Sequence, residues 1–228
     1  MKSLYQNRLP HIAPPGATFF VSFNQYDSLP ASVAAELKMQ LELAIAKIEK
    51  DNRPDKEDLI VQAKKRFFGQ RDHLMDGASY GSCHLRKPDV AQILKDKIME
   101  YDGRLIEVEA MCIMPNHVHL LFSMELQLEN AGVIGEAAQG YVQLDKVMQL
   151  IKGGSSYLIN KHLRLKDRFW AKDSFDHYIR NEADWYRVVR YILLNPVKAG
   201  LVKLWEDWPF TMISESALHK YRRLHPPA

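Results

Sequence analysis

The chain is poor in cysteine, in long apolar runs and in repetition, and each shortage removes a class of protein. Only two cysteines occur in 228 residues, Cys83 and Cys112, and they form no C-x-x-C pair. A disulfide framework or a structural zinc site needs more thiols than that, so two reduced thiols in a cytoplasmic protein are the expectation. No apolar stretch approaches the roughly 20 residues that span a bilayer. The opening MKSLYQNRLPHIAPPG lacks the apolar centre of a signal peptide. No membrane partner is therefore expected. Internal repeats and low-complexity tracts are absent as well, which argues against solenoids and extended disorder. What remains is a globular composition, with 46% hydrophobic residues in a length that can fill one sizeable core.

Net charge is +3, a value too small to name a partner, but its distribution is uneven. From Lys146 to Lys203 there are seven Lys and five Arg against four Asp and one Glu, a local balance of +7 that leaves −4 for the remainder. A basic C-terminal half suits a polyanion. Scattered Lys and Arg are also ordinary solvated helix faces. Tyr157, Phe169, Trp170, Tyr178 and Trp185 interleave with the cations, and flat side chains of that kind can stack on unpaired bases.

The most specific chemistry lies in Ala110-Met111-Cys112-Ile113-Met114-Pro115-Asn116-His117-Val118-His119-Leu120-Leu121-Phe122. Pro115 and Asn116 break an apolar run, which predicts two strands joined by a tight connection. Side chains alternate along a strand, so His117 and His119 share a face and Val118 points the other way. Two converging imidazoles are half of a divalent-metal site. A bare H-x-H equally describes surface or core histidines, so a third ligand and a reacting group must come from elsewhere.

Trp185-Tyr186-Arg187-Val188-Val189-Arg190-Tyr191-Ile192-Leu193-Leu194-Asn195-Pro196 supplies candidates for both. Trp185, Val188, Val189 and Ile192 form a helical stripe, with Tyr191 and Asn195 four apart at its margin. Pro196 disfavours helical geometry at Asn195, so the helix is predicted to end there. An amide oxygen on the last turn can complete a two-histidine site, with the phenol one turn back beside it. Tyr186 has Arg190 rather than a ligand four residues on, and Tyr178 is predicted on a strand. His177 reads as a surface histidine beside Asp176.

At this point MPNHVHLLF, followed some seventy residues later by YILLNPVKAGLV, resembles the IS200-like single-tyrosine transposases. Within them the chain looks closest to the REP-associated tyrosine transposases of the HUH endonuclease superfamily. LPHIAPPGATFFVSFNQYDSLP, YGSCHLRKPDVAQIL and IKGGSSYLINKHLRLKDRFWAKDSFDHYIRN extend the likeness over most of the chain. The resemblance implies that His117 and His119 hold a divalent metal, Mg2+ or Mn2+, and that Tyr191 is the nucleophile. Asn195 stands where insertion-sequence relatives carry a Gln ligand one methylene longer. It further implies a single-strand DNA endonuclease and strand transferase acting on DNA hairpins through a 5′-phosphotyrosine. Single-stranded or hairpin DNA is then the partner, in a cytoplasmic, nucleoid-associated protein that is a monomer or a homodimer.

Elsewhere, Thr18–Asn24 is predicted as a strand, 31–51 and 55–68 as paired helices, 76–87 as a loop and 89–101 as a helix. Strands at 104–113 and 117–124 follow, then a connection over 126–141. A helix over 144–162, interrupted or capped near Gly153-Gly154, precedes a strand at 175–179 and the Tyr191 helix. With a helical insertion at 31–75 set aside, the order is that of a ferredoxin-like split βαβ α+β fold. It has an antiparallel sheet, helices on one face, an added catalytic helix and a tail over 196–228. One domain, 1–228, is expected. That architecture also hosts RNA-recognition modules, so function must come from the site.

Two other readings stay open: a non-catalytic single-strand-binding module, and a metal nuclease that uses water rather than Tyr191. Lys152, Ser155, Ser156, Lys161 and Arg164 are candidate backbone contacts, Trp170 is a candidate base-stacking DNA contact, and Tyr178 is a candidate substrate contact or a packing residue. Arg8 and His11, in a basic Pro-containing arm, are candidates for reading a short single strand beside the hairpin. Deleting residues 1–12 is therefore expected to relax or abolish site choice while metal binding persists, measured on a panel of flanking tetranucleotides. Unchanged selectivity would refute the arm's role.

Overall fold

In the computed structural model, residues 14–51, 54–77, 80–131 and 140–224 are described. Arg8, His11 and the rest of the proposed reading arm lie outside them. Five strands make one sheet: β1 (Thr18–Asn24), β2 (Glu107–Ile113), β3 (His117–Ser123), β4 (Phe175–Tyr178) and β5 (Thr211–Ile213), in the order β4-β1-β3-β2-β5. Every pairing is antiparallel. Removing β5 leaves the strand order of a ferredoxin-like split βαβ fold, as the element order predicts.

The helices are α1 (Ala31–Lys50), α2 (Lys56–Asp76), α3 (Pro88–Met99), α4 (Leu126–Ala131), α5 (Leu144–Leu163), α6 (Glu182–Lys198) and α7 (Glu215–Leu224). Apolar residues on both faces of β1, β2 and β3 let the sheet carry a core on each side. On one side Phe19, Val21, Phe23, Val118, Leu120 and Phe122 pack under α3 and α5, which contribute Val90, Leu94, Ile98, Val147 and Ile151. On the other, Phe20, Ala110, Cys112, Met114 and Leu121 pack under α6 through Trp185, Val189, Ile192 and Leu193. Helices therefore cover both faces rather than the one expected. The reason lies in α6 and α7, whose apolar stripes need the second sheet face once α3 and α5 have filled the first.

Local chemistry sets the boundaries. Pro88 opens α3 at a position where its missing N–H costs nothing. The side chain of Asn181 caps α6 by accepting from Asp184 N at 2.9 Å. Three predicted ends differ. α2 does not stop near Phe68 but runs on to Asp76, because Asp72 and Met75 are buried against the body and hold the extra turns. α5 passes through Gly153-Gly154 unbroken, and the bare Gly154 leaves room for the end of the Lys97 side chain of α3 to lie across it. α6 continues one turn past Asn195 with Pro196 buried inside it, sustained by Ala199 N donating to Asn195 O at 3.0 Å and Leu201 N to Pro196 O at 2.9 Å. A proline breaks a helix only if packing does not hold the turn around it.

The segment after Asn195 is likewise not a loose tail. β5 extends the sheet beyond β2, and Tyr221 of α7 stacks on Tyr186 of α6 with ring centroids 5.0 Å apart. No helix among the described residues is long and apolar enough to cross a membrane.

β3 is the middle strand, and Phe122 is fully buried where it packs into the α3–α5 core. Phe122→Ala is expected to cost about 3–5 kcal/mol, because the cavity adds to the lost transfer free energy. Urea unfolding followed by circular dichroism checks this.

Candidate metal and nucleophile site

β3 pairs Ser22 of β1 with His119 and Cys112 of β2 with the same residue, so His119 stands at the centre of the sheet. The tight connection before β3 closes with Met114 N donating to His117 O at 2.8 Å, and the main-chain oxygen of Asn116 accepts from Gln25 N at 2.9 Å. Alternation sends Val118 into the first core and both imidazoles toward α6. His117 and His119 are fully buried, with Nε2 atoms 3.0 Å apart.

Their surroundings determine their state. Asn116 Nδ2 donates to Met75 O at 3.2 Å, so its Oδ1, 2.7 Å from His117 Nδ1, must accept the proton on that nitrogen. This leaves the His117 Nε2 lone pair facing the cluster, as a metal ligand requires. Aromatic rings wall His119: Phe20 at 5.8 Å, Tyr191 at 5.2 Å and Phe68 at 6.2 Å between centroids. Burial pushes each imidazole down to about 3; near neutral pH both are uncharged donors.

The nearest acid comes from α2, in the segment set aside as an insertion. Asp72 Oδ1 lies 3.4 Å from His119 Nε2 and 3.6 Å from His117 Nε2. Asp72, His117 and His119 form a buried group that could hold a metal ion. Asp72 Oδ2 accepts from the Tyr191 hydroxyl and, at 3.5 Å, from Asn195 Nδ2. Asp76, one turn further, has Oδ1 3.9 Å from His117 Nε2, and burial followed by the charge of Asp72 raises its carboxyl to about 7. Burial and Asp72 push the Tyr191 phenol well above its ordinary range.

Donor chemistry fits a divalent cation. Asp72 Oδ1, Asp76 Oδ1 and Asn195 Oδ1 are all buried without a hydrogen-bond partner. Oxygen and imidazole donors suit Mg2+, Mn2+ and related ions. Unpaired buried acceptors are costly, and a cation held by Asp72, His117 and His119 would supply the missing partner of Asp72 Oδ1.

The structure thus brings His117, His119, Tyr191 and Asn195 into one cluster. It does not bring the proposed DNA contacts among the described residues there. Ser155 is fully buried, donating to Ile151 O at 2.7 Å and accepting from Trp170 Nε1 at 3.0 Å. Trp170 is itself in the first core against Phe23, so neither residue is placed to touch DNA. Lys152 Nζ clasps a loop through Ala171 O, Lys172 O and Ser174 Oγ, and burial lowers it to about 8. Tyr178 is half-buried against the core under Arg180. Lys161 and Arg164 are exposed near the C-terminal end of α5, with Ser156 partly so. His177 is not a surface residue beside Asp176; its Nε2 is 2.6 Å from Asp184 Oδ2.

Asp72, Asp76, Asn116 and Phe68 were missed from sequence. Asp72 and Asp76 are four apart and share a helix face, the one local signal that could have marked them as a pair. Nothing in the sequence tied that face to His117.

Residues 84–193, just under half of the chain, match the family described as Transposase IS200 like. Two curated relatives are REP-associated tyrosine transposases. That of Haemophilus influenzae is 30% identical over 105 residues, covering 46% of this chain and 57% of its own. That of Escherichia coli K12 is 28% identical over 121 residues, covering 53% of this chain and 62% of its own. The chain therefore spans about three-fifths of the length of these relatives. A solved structure titled as a REP-associated tyrosine transposase bound to a REP hairpin aligns over 90% of this chain and 82% of its own, at 19% identity and a TM-score of 0.44. The resemblance carried by MPNHVHLLF and YILLNPVKAGLV is borne out.

Two buried imidazoles at about 3 make the unfolded chain the better proton binder between pH 3 and 6.5, so they add stability above 6.5 that is lost as pH falls toward 3. Asp76 works in the opposite sense, its raised carboxyl favouring the fold at low pH and losing that effect as pH rises through about 7. Two imidazoles outweigh one carboxyl. The urea midpoint is expected to fall between pH 6.5 and 4, and to fall less in His119→Phe.

Proposed function

We propose that the chain, through its likeness to the IS200-like and REP-associated tyrosine transposases, cleaves and rejoins single-stranded DNA beside a hairpin. The observation that carries this reading is the placement of the Tyr191 hydroxyl within one hydrogen-bonded cluster with Asp72, beside His117 and His119. Among the described residues no other tyrosine shares that placement. Tyr186 stacks on Tyr221, and Tyr178 lies against the first core.

His117, His119 and Asn195 would hold the divalent ion, with Asp72 as a further donor while no DNA is bound. A bound Mg2+ or Mn2+ would neutralise charge growing on the phosphate oxygens. Tyr191 attacks phosphorus in line, the new O–P bond forming as the P–O3′ bond breaks. The proton lost by the phenol ends on the departing oxygen, which becomes a 3′-hydroxyl, and the bond energy is kept in a 5′-phosphotyrosine for rejoining. Neutral imidazoles and a neutral amide leave the cation's charge undiminished, which suits a phosphodiester. Desolvation by Phe20 and Phe68 strengthens every electrostatic contact in the site. Exposed Lys161 and Arg164, with Ser156, are the proposed phosphate contacts of the flanking strand.

The burial of Ser155 and Trp170 disfavours a purely strand-binding module, since it takes two of that reading's residues out of reach. Tyr191→Phe keeps the ring that packs on Phe20 and Phe68 and removes only the oxygen. It is expected to abolish the covalent protein–DNA band formed with labelled hairpin DNA and Mn2+ on a denaturing gel, while Tyr178→Phe and Tyr186→Phe retain it. His117→Ala and His119→Ala should lose the band and keep hairpin binding. An undiminished band from Tyr191→Phe would remove the phosphotyrosine step, and cleavage without any band in the wild type would favour water as nucleophile.

A further inference from the structure

The inserted α1–α2 pair closes over the site. His117, His119 and Asn195 are fully buried and Asp72 is 3% exposed. On the strand-transfer reading a phosphodiester would have to reach the Tyr191 oxygen and the histidine pair at once, and Asp72 stands between them. Its Oδ1 faces both imidazoles at 3.4 and 3.6 Å, while its Oδ2 takes the Tyr191 hydroxyl and the Asn195 amide. A carboxylate and a phosphodiester each spread one negative charge over two equivalent oxygens. The groups that Asp72 touches are the ones a scissile phosphate needs.

Resting on the transposase reading, we propose that Asp72 occupies the scissile-phosphate position as a built-in substitute. On this view α2 is a gate that DNA must displace, exchanging one monoanion for another.

How α2 is held supports a gate rather than a fixed wall. Its contacts with the body recur at roughly one-turn spacing and are mostly polar or aromatic, with Met75 as the buried apolar anchor. They include Lys65 Nζ to Asp184 at 3.3 Å, Phe68 stacked on Phe175 at 4.2 Å, Arg71 donating to Asn24 Oδ1, Asp72 itself, and Met75 O accepting from Asn116. Lys65 is 45% exposed. Only Ile45 of α1 is buried. Between the hairpin and the body lies a groove of about 1700 Å³, lined among others by Leu41, Ile45, Lys64, Met148 and Tyr178, so the hairpin's inner face is far from close-packed. Such an element can leave at modest cost, as lids over active sites do. The closed form taxes DNA affinity by the fraction of molecules that are open.

The reading of Asp72 as an indispensable ligand predicts the opposite sign of effect. Under the gate, Asp72→Ala forms the covalent adduct at least about fivefold faster than wild type at subsaturating hairpin DNA, because the closed state loses its central contact. Lys65→Ala removes the ion pair that holds α2 to Asp184, away from the histidines and Tyr191, and should shift the rate the same way. Mn2+ binding to Asp72→Ala, read by electron paramagnetic resonance without DNA, should weaken by no more than about tenfold. In Tyr191→Phe, which cannot cleave, hairpin DNA should speed amide hydrogen exchange across residues 62–76. Loss of adduct and of Mn2+ binding in Asp72→Ala, an unchanged rate in both variants, or α2 exchange that DNA does not alter would each overturn the gate. Absence of adduct from the wild type, with α2 exchange still responsive to DNA, would count against the strand-transfer reading and leave the gate standing.

Discussion

Two uncharged imidazoles buried in the middle of a sheet are the constraint around which this protein is built. Imidazole nitrogens taken out of water need partners, and those partners must come from outside the strand that carries them. Asn116 supplies one by holding Nδ1 of His117, and α2 brings Asp72 to the Nε2 atoms of both rings. The remaining buried acceptors at Asp72, Asp76 and Asn195 are left without protein donors. That is an arrangement a cation completes, and an apolar core would have been simpler to pack.

The strand's alternation lets one element do two jobs. Val118, Leu120 and Phe122 anchor β3 in the core beneath α3 and α5, so the histidines on the opposite side have little freedom to move. The second face is aromatic rather than aliphatic around them, with Phe20 touching His119, Phe68, Phe175 and Tyr191. A wall of rings keeps water out and raises the value of each charge. It also holds the Tyr191 phenol in its protonated form while Asp72 faces it. The same desolvation that sharpens the proposed site keeps its nucleophile at rest.

An insertion outside the ferredoxin-like element order thus contributes the acid nearest the proposed chemistry. α2 runs alongside α6, meeting it at Lys65–Asp184, Phe68–Tyr191 and Asp72–Asn195. Contacts between side chains that reach across a gap can be broken one by one, unlike the buried apolar packing shared by α3 and α5. A structure that places an acid on a separable arm differs in kind from one that builds it into the sheet.

The sequence alone determined the strand pair around Pro115-Asn116, the shared face of His117 and His119, and the stacking of Tyr191 over Asn195. All of these follow from periodicities of two and 3.6 residues acting over one or two turns. The split βαβ order was legible for the same reason, since each element announced itself locally. Tertiary packing decided the rest. α6 and α2 ran past their predicted ends because buried side chains, Pro196 and Met75 among them, held turns that local propensity did not favour. Ser155 and Trp170 went inward because their hydrogen bond satisfies both when buried, although each in isolation resembles a DNA contact. Asp72 reached the histidines across 45 residues of sequence, a distance over which no periodicity carries information. Only the folding of α2 against the sheet could bring that carboxylate there.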